Sequence, residues 1–515
     1  MKLPQRLSLY AGFGAILVLG VFAWAPATYP GYWQALEGFV PVFNLLQPSK
    51  LAAIATTPDL WRGVGSAAFL LSRPFLVAGL NPTAALRITF ICCFLLGGLG
   101  TYAWLQTRVG DRGAGLAGLA YMLAPPLLAT VYVRGSVSDA MVLALLPIAL
   151  AGLTIYREGN HFSAATVAVI AIWWIWQTQA GLALLCTLLL LLYAGLVERH
   201  GMTLLIVALS GGAGLTSLLP LFSYQMPAPV NFFDHFVALF QLFRPGWQVM
   251  PSTPGWQDGY PFQLGFVVPL MALLTLWFWR YRTVRHTPAV KRMLWFGVIG
   301  LGVIIWLSLA SSQWFWMASG ASRLLTYPWQ VLLFTVPLLA MMVGILPTLH
   351  PTLRQSPYWV VLLILIVLGS LPYLSTEFTQ YQPPTSPLAV LGNNEIVVLT
   401  ANLSENRQLH QAELAVTWQP IQPLPFDYNV FFQVLSGQDQ TLVLANQIDV
   451  PPLDGGHPAT SWRPGEILTE TYQIDLTGIA PNAQLQYYFG YYDWRNGARL
   501  SVNGGIDDKL IFYGK

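Results

Sequence analysis

The chain has 515 residues, 55% hydrophobic and only 9% charged, with 20 tryptophans and a mean hydropathy of +0.55. That apolarity exceeds what a soluble fold of this length needs and indicates a polytopic membrane protein. A net charge of +3, spread over lipid-flanking loops, excludes nucleic acid as a partner, and Cys92, Cys93 and Cys186 all lie in apolar runs, which excludes a disulfide framework and a cysteine metal cage.

In chain order, Leu9–Ala25 follows Lys2 and Arg6 as a signal peptide would. Its apolar stretch is long and no small-residue cleavage site follows, so it reads as a retained first span. Apolar runs matching the hydrocarbon thickness then recur to Ser375. About eleven spans are expected, near 9–26, 84–106, 114–132, 139–156, 162–177, 179–197, 202–223, 263–280, 293–311, 325–345 and 357–375. With the N-terminus cytoplasmic, the short inner loops carry most of the basic residues, among them Arg108, Arg112, Arg157, Arg199, Arg280, Arg292 and Arg354. An odd number of crossings puts the C-terminal region outside, together with two long loops at 28–83 and 224–262. Neither internal repeats nor paired broken helices around a midplane site stand out, which ranks a transporter low.

The acids before residue 376 are few. Asp111, Glu158 and Glu198, beside Arg112, Arg157 and Arg199, read as solvated pairs at the inner interface. Outside, Glu37 lies in an amphipathic stretch of the first loop, where a carboxylate beside apolar groups would hold a raised pKa and suit a general base. Asp59 reads as a helix N-cap near Arg62. Arg134 and Asp139 occupy a short outer turn, the arginine suited to a lipid phosphate and the aspartate to capping the next helix. The second outer loop sets Asp234, His235, Arg244, Asp258 and Gln263 among Phe232, Phe233, Phe236, Trp247, Trp256 and Tyr260. That mixture suits a sugar, whose C–H faces stack on rings while its hydroxyls pair with polar groups; an aromatic belt at the lipid interface is the competing reading. Arg323 opens "RLLTYPWQ" at the outer end of another span, where it fits either a phosphate contact or snorkelling to headgroups.

The order of a first span, a long outer loop with an acid, "RG…D…LLP", "WQTQAG", "DHFVALFQLFRPGW…QDGYPFQLG" and "TYPWQ" resembles the GT-C-type glycosyltransferase-like membrane proteins of bacteria, in the branch labelled 6-pyruvoyl-tetrahydropterin synthase-related. The resemblance covers about 370 residues. It implies a bacterial inner-membrane protein that transfers a sugar from a polyprenyl-phosphate donor outside the cytoplasm, with Glu37 as the acid of the first outer loop and a divalent cation, magnesium or manganese, as an optional cofactor. Where such proteins commonly carry histidine or arginine, this chain has Gln177, Gln179 and Gln330, and no histidine follows Glu37. An amide neither titrates nor neutralises phosphate, so a catalytically degenerate relative is the alternative.

After a linker at 376–390, residues 391–515 alternate apolar and polar positions between turn-rich joints such as "PPLDGGHP" and "WRNGAR", as in an antiparallel β-sandwich of jelly-roll type. This stretch also looks like the C-terminal β-domain of many GT-C-like proteins. Trp462, Tyr491, Trp494 and Arg499 are its candidate glycan contacts, Trp462 and Tyr491 reading better as core.

The expected fold is therefore an α-helical polytopic GT-C-like domain at 1–375, joined to an extracytoplasmic all-β sandwich. The leading function is sugar transfer to a cell-surface acceptor, with Glu37 as base, Arg134 and Arg323 on phosphate, and Asp234, His235, Asp258 and Gln263 as sugar or metal contacts. The second is a degenerate scaffold or accessory subunit binding a protein or glycan in a membrane complex; the third is a lipid-linked sugar transporter.

Overall fold

The computed structural model describes residues 10–29, 31–33, 35–36, 41–42, 45, 58–59, 64–159, 161–218, 231–250, 252–281, 287–376, 378–379, 387–392, 395–421, 424–438, 441–462, 465–480, 483–504 and 507–514. Among them the chain forms two compact units, one of Met1–Tyr32 with Gln47–Phe378 and one of Trp33–Leu46 with Thr379–Lys515.

Among the described residues eight helices of the first unit are long and apolar enough to cross a membrane: Ala11–Thr28, Pro82–Met122, Val137–Gly159, Ala180–Glu198, Gly201–Leu218, Pro288–Ser308, Pro328–Leu349 and Ser356–Leu374. Phe162–Thr178 and Val267–Tyr281 are apolar but shorter. Eleven such spans were expected; two of those segments, 84–106 and 114–132, fall in part on one 41-residue helix. Asn81 caps its start, its side-chain oxygen accepting from the Ala84 N–H at 2.7 Å, with Pro82 in the first turn where its missing N–H costs nothing. The helix turns at Gly110, whose φ of 76° is a conformation that favours glycine.

The span expected at 114–132 ends early. Pro125 and Pro126 cannot continue the ladder, so the helix stops at Met122 and is followed by the turn Pro125–Leu128 and a wide π turn, Ala129–Arg134. Gly135, at φ 73°, closes that turn and starts the chain back into Val137–Gly159.

Val137–Gly159 and Pro328–Leu349 are enclosed by other helices, with 89% and 94% of their apolar windows buried, whereas Ala11–Thr28 and Gly201–Leu218 are only 28% buried. The peripheral helices expose Ile170, Trp173, Leu209, Leu273, Trp277 and Ile299. Such a surface is costly in water and ordinary against acyl chains.

Polar side chains gather at the two ends of this helical unit. At one end Arg108 pairs with Glu158 and, at 2.8 Å, with Glu198. Glu198 is 2% exposed; it also accepts from the Tyr193 hydroxyl at 2.8 Å, and that hydroxyl in turn accepts from Trp104 Nε1 at 2.8 Å. Asp111 accepts from the Gly12 N–H at 2.7 Å and the Tyr102 hydroxyl at 2.8 Å, while Arg112 donates to the Arg354 carbonyl and to Ser356 Oγ. This corrects the expectation of solvated pairs between chain neighbours. Adjacent helical residues point to different faces, so the acids bond to other helices instead and fasten the bundle.

In the second unit, Leu468–Asp475, Gln411–Pro420, Ile396–Asn406 and Ala389–Leu391 form one antiparallel sheet in that order. A second antiparallel sheet runs Ala498–Arg499, Gln484–Asp493, Asn429–Gln438 and Thr441–Val450, with Leu510–Tyr513 also paired to Gln484–Asp493. The period of two along each strand sends Leu414, Val416 and Trp418 from the first sheet and Phe432, Tyr487 and Phe489 from the second into one buried cluster. Trp462 and Tyr491 belong to it, the Trp418 ring lying 5.7 Å from Trp462 and 6.1 Å from Tyr491. Neither is a surface glycan contact, whereas Trp494 is 59% exposed.

Candidate functional site

The π turn that follows Pro125 and Pro126 delivers Arg134 to the end of the bundle opposite Glu198. There its Nη1 donates to Oδ2 of Asp139, a carboxylate with no solvent exposure in the first turn of Val137–Gly159. The same Oδ2 accepts from Gln330 Nε2 at 3.3 Å. Gln330 Oε1 accepts the backbone N–H groups of Thr326 and Tyr327, at 2.9 and 3.1 Å, and so caps the start of Pro328–Phe334. Asp139 is therefore an ion-pair partner instead of the helix cap expected from its position. Arg134, expected on a phosphate, already has a carboxylate on its guanidinium and the Trp329 ring 5.6 Å away.

Trp329 links this pair to the segment 231–263. Its ring stacks with Tyr260 (4.3 Å, 26°) and with Tyr327 (4.9 Å, 17°). The His235 ring stands edge-on to Tyr327 at 5.0 Å. Ser252 Oγ lies at the centre of the polar contacts, 3.2 Å from Trp329 Nε1, 2.9 Å from His235 Nδ1 and 2.5 Å from Asp258 Oδ2. An indole N–H can only donate and a carboxylate can only accept, so the single serine proton goes to Asp258. Ser252 then accepts from His235, which fixes the proton on Nδ1 and leaves Nε2 as the ring's lone-pair nitrogen. His235 is 3% exposed, and burial pulls its pKa below the ordinary histidine value against the opposing pull of Asp258 and Asp234.

A histidine whose folded pKa lies below its unfolded one stabilises the fold above about pH 6.5, and this contribution is lost as pH falls through the folded pKa. Thermal stability of the purified protein is expected to fall on acidification through that window. His235→Asn keeps an N–H donor near Nδ1 without a titratable group and should flatten this part of the profile; an unchanged profile would place the pH sensitivity elsewhere.

Asp258 also accepts the Tyr260 N–H at 2.9 Å. The loop is braced by Gln241, whose Oε1 accepts the Ala238 N–H at 2.7 Å and whose Nε2 donates to the carbonyls of Trp256 and Asp258 at 3.2 and 3.1 Å. Gln241, Arg244, Gln248, Asp258, Tyr260 and Gln263 line a small cleft.

Of the residues expected to act together, Arg134, His235 and Asp258 join one network, and Asp258 and Gln263 share the cleft. Asp234 is exposed and bonds to Asn231 Nδ2 at 2.8 Å, and Arg323 is exposed with no carboxylate partner among the described residues, so neither joins the network. Glu37, the expected base, lies outside the described residues. Ser252, Trp329 and Gln330 are the members that sequence reading missed as participants. The motif "TYPWQ" was the available signal for the last two; a serine in a Pro-Ser-Thr-Pro turn gives none. Gly181, in "WQTQAG", is held to the chain near Arg323 by close approach, since a Cβ there would sit 1.8 Å from the Leu324 carbonyl oxygen.

For the optional divalent cation, no group of three His, Cys, Asp or Glu side chains converges among the described residues. Ser252 bridges His235 and Asp258. No protein-family model matches this chain, and no curated protein matches it.

Proposed function

We propose that the protein is an extracytoplasmic-facing, GT-C-like glycosyltransferase of the bacterial inner membrane. It has about eleven spans, a cytoplasmic N-terminus and an outer β-sandwich, and it moves a sugar from a polyprenyl-phosphate donor to a cell-surface acceptor. The observation that carries this reading is the convergence of three separate interhelical segments, 134–139, 235–263 and 326–330, on one polar and aromatic cluster at a single end of the helical unit. Positive residues at the opposite end, Arg108, Arg112, Arg292 and Arg354, favour that end as cytoplasmic.

In the reaction the acceptor hydroxyl oxygen bonds to the anomeric carbon, its proton passes to a base, and the C–O bond to phosphate breaks with its electron pair left on the polyprenyl phosphate. Glu37 is the proposed base, Arg323 the cation free to meet the phosphate, and Asp234, His235, Asp258 and Gln263 the sugar-side contacts. Closure of Arg134 on Asp139 favours a second reading, a non-catalytic scaffold binding a protein or glycan, because that arginine is neutralised within the fold.

The test is transfer of radiolabelled sugar from polyprenyl-phosphate donors by the purified full chain in proteoliposomes. Glu37→Gln is expected to lower the rate at least a hundredfold while the protein stays folded. Absence of transfer by the unmodified chain across a donor panel, with a fixed protein partner co-purifying, would replace transfer by the scaffold reading.

A further inference from the structure

The short turn Leu239–Phe243 has its polar and apolar side chains the wrong way round for a surface in water. Leu239, Phe240 and Phe243 are each more than half exposed, whereas Gln241 and Leu242 are buried. Gln241 holds this arrangement in place, because both ends of its amide are engaged, on the Ala238 N–H and on the carbonyls of Trp256 and Asp258. Phe240 meets the Trp256 ring edge-on at 6.5 Å, and Trp256 is itself strongly exposed. The aromatics of 231–263 therefore divide: Phe232 and Tyr260 are buried packing, while Phe240, Phe243 and Trp256 form an exposed apolar patch. Arg244 follows this patch directly, is exposed and has no carboxylate partner among the described residues.

We propose that this turn is an interfacial membrane element: Leu239, Phe240 and Phe243 enter the acyl boundary of the leaflet at the Arg134 end of the helical unit, and Arg244 pairs with the headgroup of an anionic phospholipid there. The patch continues a lipid-facing surface. The Leu242 carbonyl accepts the Leu264 N–H at 3.0 Å, which ties the turn to the chain just before Phe266; Phe266, Leu270, Leu273 and Trp277 then form an exposed stripe along one face of Val267–Tyr281. That helix has 15 residues, about 22 Å of rise against a hydrocarbon core of about 30 Å. Beyond Tyr281 the sequence runs Arg-Thr-Val-Arg-His, so the apolar band gains length only at the Phe266 end, where the turn lies. Apolar side chains followed at once by a guanidinium match the boundary between acyl chains and phosphates. An unpaired cation at that level favours an anionic headgroup over a zwitterionic one. A protein partner would cover the patch but would not complete the short apolar band. The proposal goes beyond sugar transfer and does not depend on it.

The experiment places a bimane fluorophore on Phe243→Cys in the full chain, reconstituted into phosphatidylcholine vesicles, with doxyl-labelled phospholipid as the quencher in the membrane and iodide as the quencher in water. Ile299→Cys on a peripheral helix and Trp494→Cys on the second unit are the references, all three positions being exposed, and labelling of the unmodified chain, whose Cys93 and Cys186 are buried, sets the background. Phe243→Cys is expected to follow Ile299→Cys, quenched by doxyl lipid and protected from iodide. Doxyl phosphatidylglycerol should reach the same quenching at about one fifth of the concentration that doxyl phosphatidylcholine needs, the preference that one cation confers near the surface. Arg244→Gln should erase that difference and leave quenching by doxyl phosphatidylcholine unchanged. Iodide quenching equal to that of Trp494→Cys would put the turn in water and overturn the proposal. Protection from both quenchers would put a protein surface, of a partner or a second copy, over the turn and overturn it as well. Equal quenching by the two lipids with Arg244 present would overturn the headgroup pairing. Neither lipid is a sugar donor, so the result is independent of the transfer assay.

Discussion

Asp139→Ala is expected to cost about 3–5 kcal/mol of stability, among the largest effects of any single polar substitution in the helical unit. Asp139 has no solvent exposure and holds both Arg134 and Gln330. Removing it takes the carboxylate from a guanidinium with 13% side-chain exposure and from an amide donor, and loss of the buried charge's counter-ion dominates. Equilibrium unfolding of the purified protein in mixed micelles measures the loss. The double variant Arg134→Met with Asp139→Leu should recover most of it, since no charge is then left unpaired. If Asp139→Ala cost less than about 1 kcal/mol, the pair would have to be solvated and the cluster would lose its anchor.

Trp329→Ala is the second. It is 4% exposed, stacks with Tyr260 and Tyr327, meets Phe262 edge-on at 5.8 Å and donates to Ser252. A cavity of that size is expected to cost about 3–5 kcal/mol, measured in the same unfolding experiment. Hydrogen exchange should rise across 235–263 at the same time, because the ring fastens that loop to the helix starting at Pro328. Trp329→Phe keeps an aromatic surface but removes the donor, at about 1 kcal/mol. If both variants behaved alike, the bond to Ser252 would be the whole of the tryptophan's role.

The helices and strands were legible because their signal is local. Leu9 to Ser375 is apolar enough that each run had to become helix, and the alternation at Gln411–Pro420 and Gln484–Asp493 had to become strand. The early end of the helix segment after Gly110 was harder to see: the apolar run passes through Pro125 and Pro126, and hydropathy does not register the missing N–H groups that stop the helix at Met122. The site was half legible. An isolated second loop rich in Phe, Trp, Asp and His marked His235, Asp258 and Gln263, yet the serine that joins two of them and the glutamine that bonds Asp139 from 191 positions away carry no local mark.

Composition and periodicity alone thus determined that this chain is a set of apolar helices followed by antiparallel strands, since burial of apolar surface and satisfaction of backbone hydrogen bonds act on each segment by itself. Only the tertiary structure decided the partners: Glu198 with Arg108 instead of its neighbour Arg199, Asp139 with Arg134 and Gln330, and Ser252 between His235 and Asp258. A hydrogen bond or ion pair forms between whichever groups packing brings within about 3 Å, and that distance is set by helices far apart in the chain.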